Sequence, residues 1–161
     1  MRISSRGQYG LRALAVLARR QGERPTQVRE IARVEGLSAK YLEQLLGRLR
    51  SGGLVKSVRG ARGGYQLARP AHEITVREVL VLLEGSLAPT DCVEANSPCR
   101  ANEECTAHAV WSGLYATILE FLDSQTLADL LARSAAEPAV AAAPASLAPP
   151  EPALETVGSR G

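Results

Sequence analysis

The stretch LSAKYLEQLLGRLRSGGLVKSVRGARGGYQL, residues 37–67, decides the fold class. Ser38 is placed to cap a helix, and the leucines that follow have the i, i+3, i+4, i+7 spacing of one helix face. These leucines are Leu42, Leu45, Leu46 and Leu49. Two short β-prone segments, residues 54–58 and 65–67, come next and are joined by a glycine-rich turn. A helix followed directly by such a hairpin is typical of a winged helix-turn-helix.

Two further helices are predicted before this stretch. The first starts at Ser5, which forms a capping box with Gln8, and runs to about Gln21. The second covers residues 27–35, and Gly36 supplies the left-handed residue that ends it. The second and third helices fit the helix-turn-helix pattern, in which the later helix lies in the major groove of DNA.

The outer face of the third helix and the hairpin turn carry the candidate DNA contacts. A helical wheel places four residues opposite the leucines, namely Lys40, Gln44, Gly47 and Ser51, and Glu43 and Arg48 flank them. Such side chains reach base edges or phosphates, although they equally suit the solvated side of any amphipathic helix. The turn carries Arg59 and Arg62, which can follow the DNA backbone or enter a narrow minor groove.

The charge is divided unevenly along the chain. Residues 1–70 hold 15 Lys and Arg against 4 Asp and Glu, whereas residues 71–161 hold 4 against 13. The balances of +11 and −9 give the net charge of +2. A basic N-terminal half indicates a polyanionic partner, and double-stranded DNA is the partner that the helix-turn-helix pattern favours. A salt-bridged surface between the halves is the alternative.

The C-terminal half is predicted to hold a helix over residues 71–84, a loop over 85–105 and a long apolar helix that Thr106 caps. The apolar stripe of the long helix is Val110, Trp111, Leu114, Tyr115, Ile118, Leu119, Phe121 and Leu122. A stripe this broad needs cover, so we expect a homodimer formed through the long helix. Packing against its own domain is the alternative.

The expected organisation is therefore a mainly α protein with a small β-hairpin wing. Residues 1–84 form the DNA-binding domain, 85–105 a loop, and 106–134 the dimerisation helix with a short terminal helix that starts at Thr126. Residues 135–161 are rich in Ala and Pro and are expected to be a disordered tail.

The segment CVEANSPCRANEECTAH, residues 92–108, gathers all three cysteines and one of the two histidines of the chain. Cys105 and His108 are three residues apart at the predicted helix start, so both can point toward a loop carrying Cys92 and Cys99. Three thiolates and one imidazole suit either a zinc ion or a [2Fe–2S] cluster, and the spacing does not choose between them. Unligated redox-sensing cysteines are a third possibility.

Composition narrows the class of protein. The N-terminus interrupts its apolar residues with arginines and resembles neither a signal peptide nor a membrane span, so a cytoplasmic location without membrane association is expected. Three cysteines cannot all pair within one chain, so metal or redox chemistry is favoured over a disulfide framework. The chain shows no nucleophile-base motif and no phosphate-binding glycine motif, and an enzyme is not expected.

The chain resembles the Rrf-type winged-helix regulators, and within them the iron–sulfur cluster regulators of the IscR type, over residues 1 to about 134. The matching stretches are MRISSRGQYGLRAL at the start, the segment 37–67 through the helix and wing, and HAVW at the start of the long helix. The resemblance implies a homodimeric transcription factor whose [2Fe–2S] cluster changes the promoter sites that it binds.

The resemblance also implies specific roles. The cluster ligands would be Cys92, Cys99, Cys105 and His108; the base-reading face would include Ser38, Lys40, Glu43 and Gln44; the wing would use Ser57, Arg59 and Gly60. The gap between the first two cysteines is one residue longer than in the IscR pattern. A nitric-oxide-sensing branch of the family takes its fourth ligand from an N-terminal aspartate, but position 8 here is Gln8, so the IscR-like assignment ranks first. A zinc-stabilised nucleic-acid-binding protein remains the other alternative.

Overall fold

The computed structural model of the protein describes residues 3–94 and 105–136. Its helices and strands are α1 (Ser5–Arg19), α2 (Val28–Glu35), α3 (Ala39–Ser51), β1 (Val55–Val58), β2 (Gly64–Leu67), α4 (Val76–Glu84), α5 (His108–Asp123) and α6 (Leu127–Ala136). Two short 3-10 turns, Ala71–Glu73 and Asp91–Val93, flank α4. The predicted fold class, mainly α with a small β-hairpin wing, is confirmed.

Most helix ends follow local signals in the sequence. The Ser38 hydroxyl accepts a hydrogen bond from the Tyr41 amide at 3.2 Å, and the Thr75 hydroxyl accepts one from Glu78 at 3.2 Å. Gly36 ends α2 in the left-handed conformation, with φ of 67°. The ends at Ser38 and Gly36 are where the sequence predicted them, whereas α4 begins at Val76 rather than at residue 71, because residues 71–73 form a separate 3-10 turn.

Two predicted caps are wrong. Ser4, rather than Ser5, is the N-cap of α1, because Ser4 has the extended backbone of a cap and its hydroxyl accepts from the Arg6 amide at 3.1 Å. Thr106 lies in a turn, and the residue before α5 is Ala107, which has helical dihedral angles and makes no side-chain cap. The first amides of α5 are therefore not capped by a hydroxyl.

The wing is an antiparallel hairpin that a third segment extends. β1 pairs with β2 in the register Val55↔Leu67 to Val58↔Gly64. On the other edge of β2, Thr26 and Tyr65 exchange two backbone hydrogen bonds of 2.9 and 2.8 Å. These bonds join the wing to the segment between α1 and α2, so the base of the wing belongs to the folded domain.

The main core lies under α1, α2, α3 and the base of the wing. Its fully buried side chains include Leu14, Ile31, Leu42, Leu46, Leu49, Leu54 and Ile74. Deep burial of all four leucines of the α3 seam fixes the rotation of α3, so the opposite side of the helix faces outward.

The chain leaves this core along α5 and returns to it through α6. Leu127, at the start of α6, is fully buried in the main core. Backbone hydrogen bonds from Val76 to Gln125 (2.8 Å) and from Leu127 to Ile74 (3.0 Å) join the segment after α5 to the segment before α4. The final helix therefore packs with the winged-helix unit, and it ends two residues beyond the predicted Ser134.

In the described residues, every helix is too short or too polar to cross a membrane. The expected tail began at residue 135, but residues 135 and 136 belong to α6. The rest of the expected tail, residues 137–161, and residues 95–104 of the expected loop lie outside the described residues.

Candidate nucleic-acid interface and metal site

The outward face of α3 carries the side chains that the sequence predicted to contact DNA. Its exposed long side chains are Lys40, Glu43, Gln44 and Arg48. Ser38 is exposed as well, and because its oxygen accepts from the Tyr41 amide, its hydroxyl hydrogen is free to donate to an acceptor outside the helix. The N-terminal turns of α3 thus present donors of both neutral and charged types.

The C-terminal half of this face borders α4. An open groove of about 720 Å³ is lined by Gln44, Gly47, Arg48, Ser51 and, from α4, Leu82. Ser38, Lys40 and Glu43 do not line this groove. The N-terminal half of α3 is therefore the part of the face that stands clear of α4.

The tip of the wing is a tight turn with exposed cations. Arg59 and Arg62 are both exposed, as is Ser57 at the end of β1. The turn closes with a hydrogen bond from the Gly63 amide to the Gly60 carbonyl at 2.9 Å, and Gly60 has φ of 114°, which favours glycine. The tight turn thus carries two arginines whose side chains are exposed at the tip of the wing.

Sequence reasoning missed Arg50, in the last turn of α3. Its Nη1 lies 3.5 Å from the hydroxyl oxygen of Ser57, so a side chain of the third helix reaches across to the wing. Residues 48–59 contain three arginines, and nothing in the sequence singles out Arg50 from the other two. The contact forms because β1 packs against α3 in the folded domain.

The cations of this surface are not neutralised by nearby carboxylates. Four arginines elsewhere in the described chain form ion pairs, Arg12–Glu35, Arg20–Glu30, Arg69–Glu78 and Arg77–Asp123. The Arg20 guanidinium bonds to Glu30 and holds the pKa of that carboxyl below its ordinary value of 4.5. In the part of the chain that the structure describes, no acidic side chain forms an ion pair with Lys40, Arg48, Arg59 or Arg62. The charges of these four side chains on α3 and the wing tip are therefore available to a polyanionic partner.

The first predicted metal ligand, Cys92, lies in the 3-10 turn Asp91–Val93, which packs against α5. Its side chain is half-buried, and its Sγ lies 3.1 Å from the hydroxyl oxygen of Thr90. Cys105 is exposed. Both described cysteines are free thiols.

His108 is the first residue of α5, three positions after Cys105. The Cys105 carbonyl accepts a hydrogen bond from the His108 amide at 3.0 Å, which holds the two residues in one turn. The imidazole Nε2 lies 3.3 Å from the Ser112 hydroxyl oxygen, whereas Nδ1 is buried without a partner among the described residues. A sheltered imidazole nitrogen without a hydrogen bond is unusual, because buried polar atoms are normally paired.

The donor chemistry fits a soft metal. Two reduced thiols and an unpaired imidazole nitrogen are ligands that zinc and iron–sulfur clusters both accept. Cys99 lies outside the described residues, and within residues 3–94 and 105–136 no three His, Cys, Asp or Glu side chains gather closely enough to hold an ion. Among the described candidates, Cys105 and His108 thus share one turn at the start of α5, and Cys92 lies in a turn that packs against α5.

Comparison with known proteins gives one consistent family. The Rrf2 family, described as iron-dependent transcriptional regulators, matches residues 3–133. The transcriptional regulator CymR of Bacillus subtilis is 42% identical over 130 residues, covering 81% of this chain and 89% of that protein. The regulator IscR of Photorhabdus laumondii is 40% identical over 131 residues, covering 81% and 79%.

Solved structures agree with this result. The structure of T. potens IscR is similar with a TM-score of 0.70 and 41% identity, covering 86% of this chain and 93% of that one. The structure of CymR, described as the global cysteine regulator of B. subtilis, is similar with a TM-score of 0.69 and 38% identity, covering 83% and 98%.

Proposed function

The chain belongs to the Rrf2 family of DNA-binding transcriptional regulators, and from this premise we propose that it is a homodimeric regulator of the IscR type. A [2Fe–2S] cluster held by Cys92, Cys99, Cys105 and His108 would change the promoter sites that it selects. The observation that carries the proposal is the buried, unpaired Nδ1 of His108, one turn after Cys105. A nitrogen in this state is available as a ligand.

On DNA, the exposed side chains of α3 would each contact a different chemical group. Gln44 suits an adenine edge, and Lys40 suits guanine or a phosphate. The hydroxyl of Ser38 would donate a hydrogen bond to a base edge or to a phosphate. Glu43 has a different effect, because a carboxylate near phosphates is repelled unless it accepts a hydrogen bond from cytosine. Glu43 would therefore reject wrong sites as well as favour right ones.

The wing would contact the DNA backbone or the minor groove. Arg59 and Arg62 are exposed, free of ion pairs in the described chain, and carried by a tight turn that Gly60 allows. Ser57 contacts Arg50 of α3, so the wing and the recognition helix would engage DNA as one surface. Arg48 extends the positive surface toward the phosphates.

At the metal site, histidine in place of a fourth cysteine has a chemical consequence. A bound cluster supplies a redox-active and labile group whose presence reports iron–sulfur supply. The imidazole must be neutral to act as a ligand, so acid would favour release of the cluster. Lability of this kind suits a sensor.

The nitric-oxide-sensing alternative has weaker support from position 8. The Gln8 side chain is exposed, and its Nε2 donates to the Ile3 carbonyl at 3.2 Å. An amide engaged with its own backbone is a poor cluster ligand. His108 is therefore the better fourth ligand.

Homodimerisation is supported by the apolar surface of α5. Val110, Trp111, Leu114 and Phe121 are all exposed. Beside them, a groove of about 330 Å³ with an apolar lining is formed by Ile3, Leu80, Thr117, Ile118, Phe121 and Leu122. A large apolar surface on one helix is typical of a subunit interface, and a two-fold dimer would present two recognition helices to paired half-sites.

Metal analysis of protein purified without air tests the cluster. We expect about two irons and two acid-labile sulfides per chain, with the visible absorption of a [2Fe–2S] centre. His108→Ala should lower the iron content, whereas His72→Ala, at the other histidine of the chain, should leave it unchanged. Colourless protein with one zinc per chain would favour the zinc-stabilised alternative.

Selection of sites from a random DNA pool tests the functional claim. Loaded and stripped protein should recover different sequences, and Glu43→Ala should recover a broader set than the unaltered protein. Identical sequences from loaded and stripped protein would disprove regulation by the cluster.

A further inference from the structure

The carboxylate of Glu84 joins two parts of the protein that are distant in sequence. Its Oε1 accepts hydrogen bonds from the Ser4 amide (3.2 Å), the Ser4 hydroxyl (2.7 Å) and the Gly7 amide (2.8 Å). Glu84 is the last residue of α4, and Ser4 and Gly7 form the beginning of α1. A side chain from α4 thus caps α1, where a negative charge also suits the helix dipole.

The glycines of α1 allow this close approach. A Cβ on Gly7 would lie 2.3 Å from Oε1 of Glu84, and a Cβ on Gly10 would lie 2.2 Å from Cδ1 of Leu83. Both distances are far below contact distance, so the end of α4 rests directly on the backbone of α1. The contact with α4 therefore requires glycine at both ends of the segment GQYG, residues 7–10.

The same helix end is next to the recognition helix. Tyr41 of α3 packs edge-to-face on Tyr9 of α1, with ring centroids 6.2 Å apart. Burial raises the pKa of Tyr41 above its ordinary value of 10.0, and the charge of Glu84 acts in the same direction. Glu84, the first turns of α1 and the N-terminal turn of α3 are thus neighbours.

On its other side, Glu84 adjoins the loop that carries the cysteines. Gly85 follows it with φ of 83°, and Cys92 comes eight positions after Glu84. Between them, Leu87 is buried against Val76 and Leu80 of α4. This connection is short, and Leu87 anchors it to α4. A displacement of the backbone at Cys92 should therefore also displace Glu84.

From these contacts we infer that Glu84 is a positioning residue, which transmits the state of the cysteine loop through the start of α1 to the recognition helix. The inference rests on the proposed function, since it names the route by which cluster occupancy would change site selection. The coupling follows a continuous set of contacts: loop, Glu84, Ser4 and Gly7, Tyr9 and Tyr41.

Three variants separate this role from simple stabilisation. Glu84→Gln keeps the size of the side chain and removes its charge. Gly7→Ala keeps Glu84 and forces the carboxylate away. Gly10→Ala is the matched control, because it disturbs the same pair of helices without touching the carboxylate. Each is first checked for iron and sulfide content, for folding by circular dichroism and for binding to nonspecific DNA.

The deciding measurement is the ratio of affinities of loaded and stripped protein for the DNA site that the loaded wild type selects. Couplings of this kind change affinity roughly 5- to 150-fold. Glu84→Gln and Gly7→Ala should load cluster normally and lose most of that ratio, while Gly10→Ala should keep it. If Gly7→Ala does not fold, Glu84→Gln alone decides.

Two results would overturn the role of Glu84 and leave the proposed function intact. One is a wild-type ratio in Glu84→Gln, and the other is an equal loss of the ratio in Gly10→Ala, which would assign the effect to packing. A ratio of one in the wild type would remove the proposed function and this role together.

Discussion

Replacing Phe121 with alanine should strongly weaken the proposed homodimer. Phe121 is 55% exposed, on the apolar face of α5. An aromatic side chain buries ~200 Å², so roughly 110 Å² of Phe121 is available to a partner. At ~25 cal/mol per Å², covering it contributes about 2.5–3 kcal/mol. A two-fold interface contains the residue twice, which makes the total ~5–6 kcal/mol.

This free energy corresponds to an increase of roughly 10⁴-fold in the dimer dissociation constant, as an upper bound, because alanine retains part of the contact. Sedimentation velocity over a range of protein concentrations measures the constant directly. Val34→Ala is the control, because Val34 is 49% exposed but lies on α2, away from the apolar face. Circular dichroism shows whether either variant changes the fold.

A dissociation constant for Phe121→Ala within about tenfold of the wild type would contradict this expectation, because it would leave ~1.4 kcal/mol or less for the interface contact. A comparable loss in Val34→Ala would refute it too, since the effect would then not depend on α5. Either outcome would place the dimer contact elsewhere on the molecule.

Three further predictions concern DNA binding and stability. Arg59→Ala should weaken binding to all DNA sequences and reduce the slope of log affinity against log salt by about 0.9, measured by titration at several salt concentrations; an unchanged slope would exclude a phosphate contact. Leu46→Ala, in the fully buried seam, should lower the free energy of unfolding by about 2–5 kcal/mol in urea. The hydrogen bonds from Thr126 hold the pKa of Asp129 below its ordinary value of 3.8. That cap stabilises the fold above this pH and is lost as the pH falls through the lowered pKa. The melting temperature of cluster-free Asp129→Asn should therefore fall less than that of the wild type as the pH is lowered from 7 through the lowered pKa of Asp129.

The sequence predicted the fold well where the determinants are local. The start of α3 follows from the Ser38 cap and its buried face follows from the leucine spacing, and the structure shows both as predicted. The choice between Ser4 and Ser5 as the cap of α1 was different, because either hydroxyl can cap a helix. Glu84, which lies 80 positions later in the sequence, favours Ser4 by accepting hydrogen bonds from its amide and its hydroxyl.

The candidate site divides in the same way. Exposure of Lys40, Glu43 and Gln44 follows from helical periodicity alone, so sequence reasoning reached it. The contact between Arg50 and Ser57 joins a helix to a strand, so neither helical nor strand periodicity predicts it. For the proposed metal ligands, the spacing predicts the donor types, but which metal they would hold depends on a loop geometry that spacing does not determine.

The return of the chain from α5 to the core has a mechanical consequence. The segment after α5 is bonded to the backbone before α4, and Leu127 is buried beneath it. Each long helix is thus fixed at its far end to its own winged-helix unit and cannot pivot as a free arm. Two such units, joined back to back, would have a set separation, and operators with base pairs inserted between their halves should be bound poorly even when each half is intact.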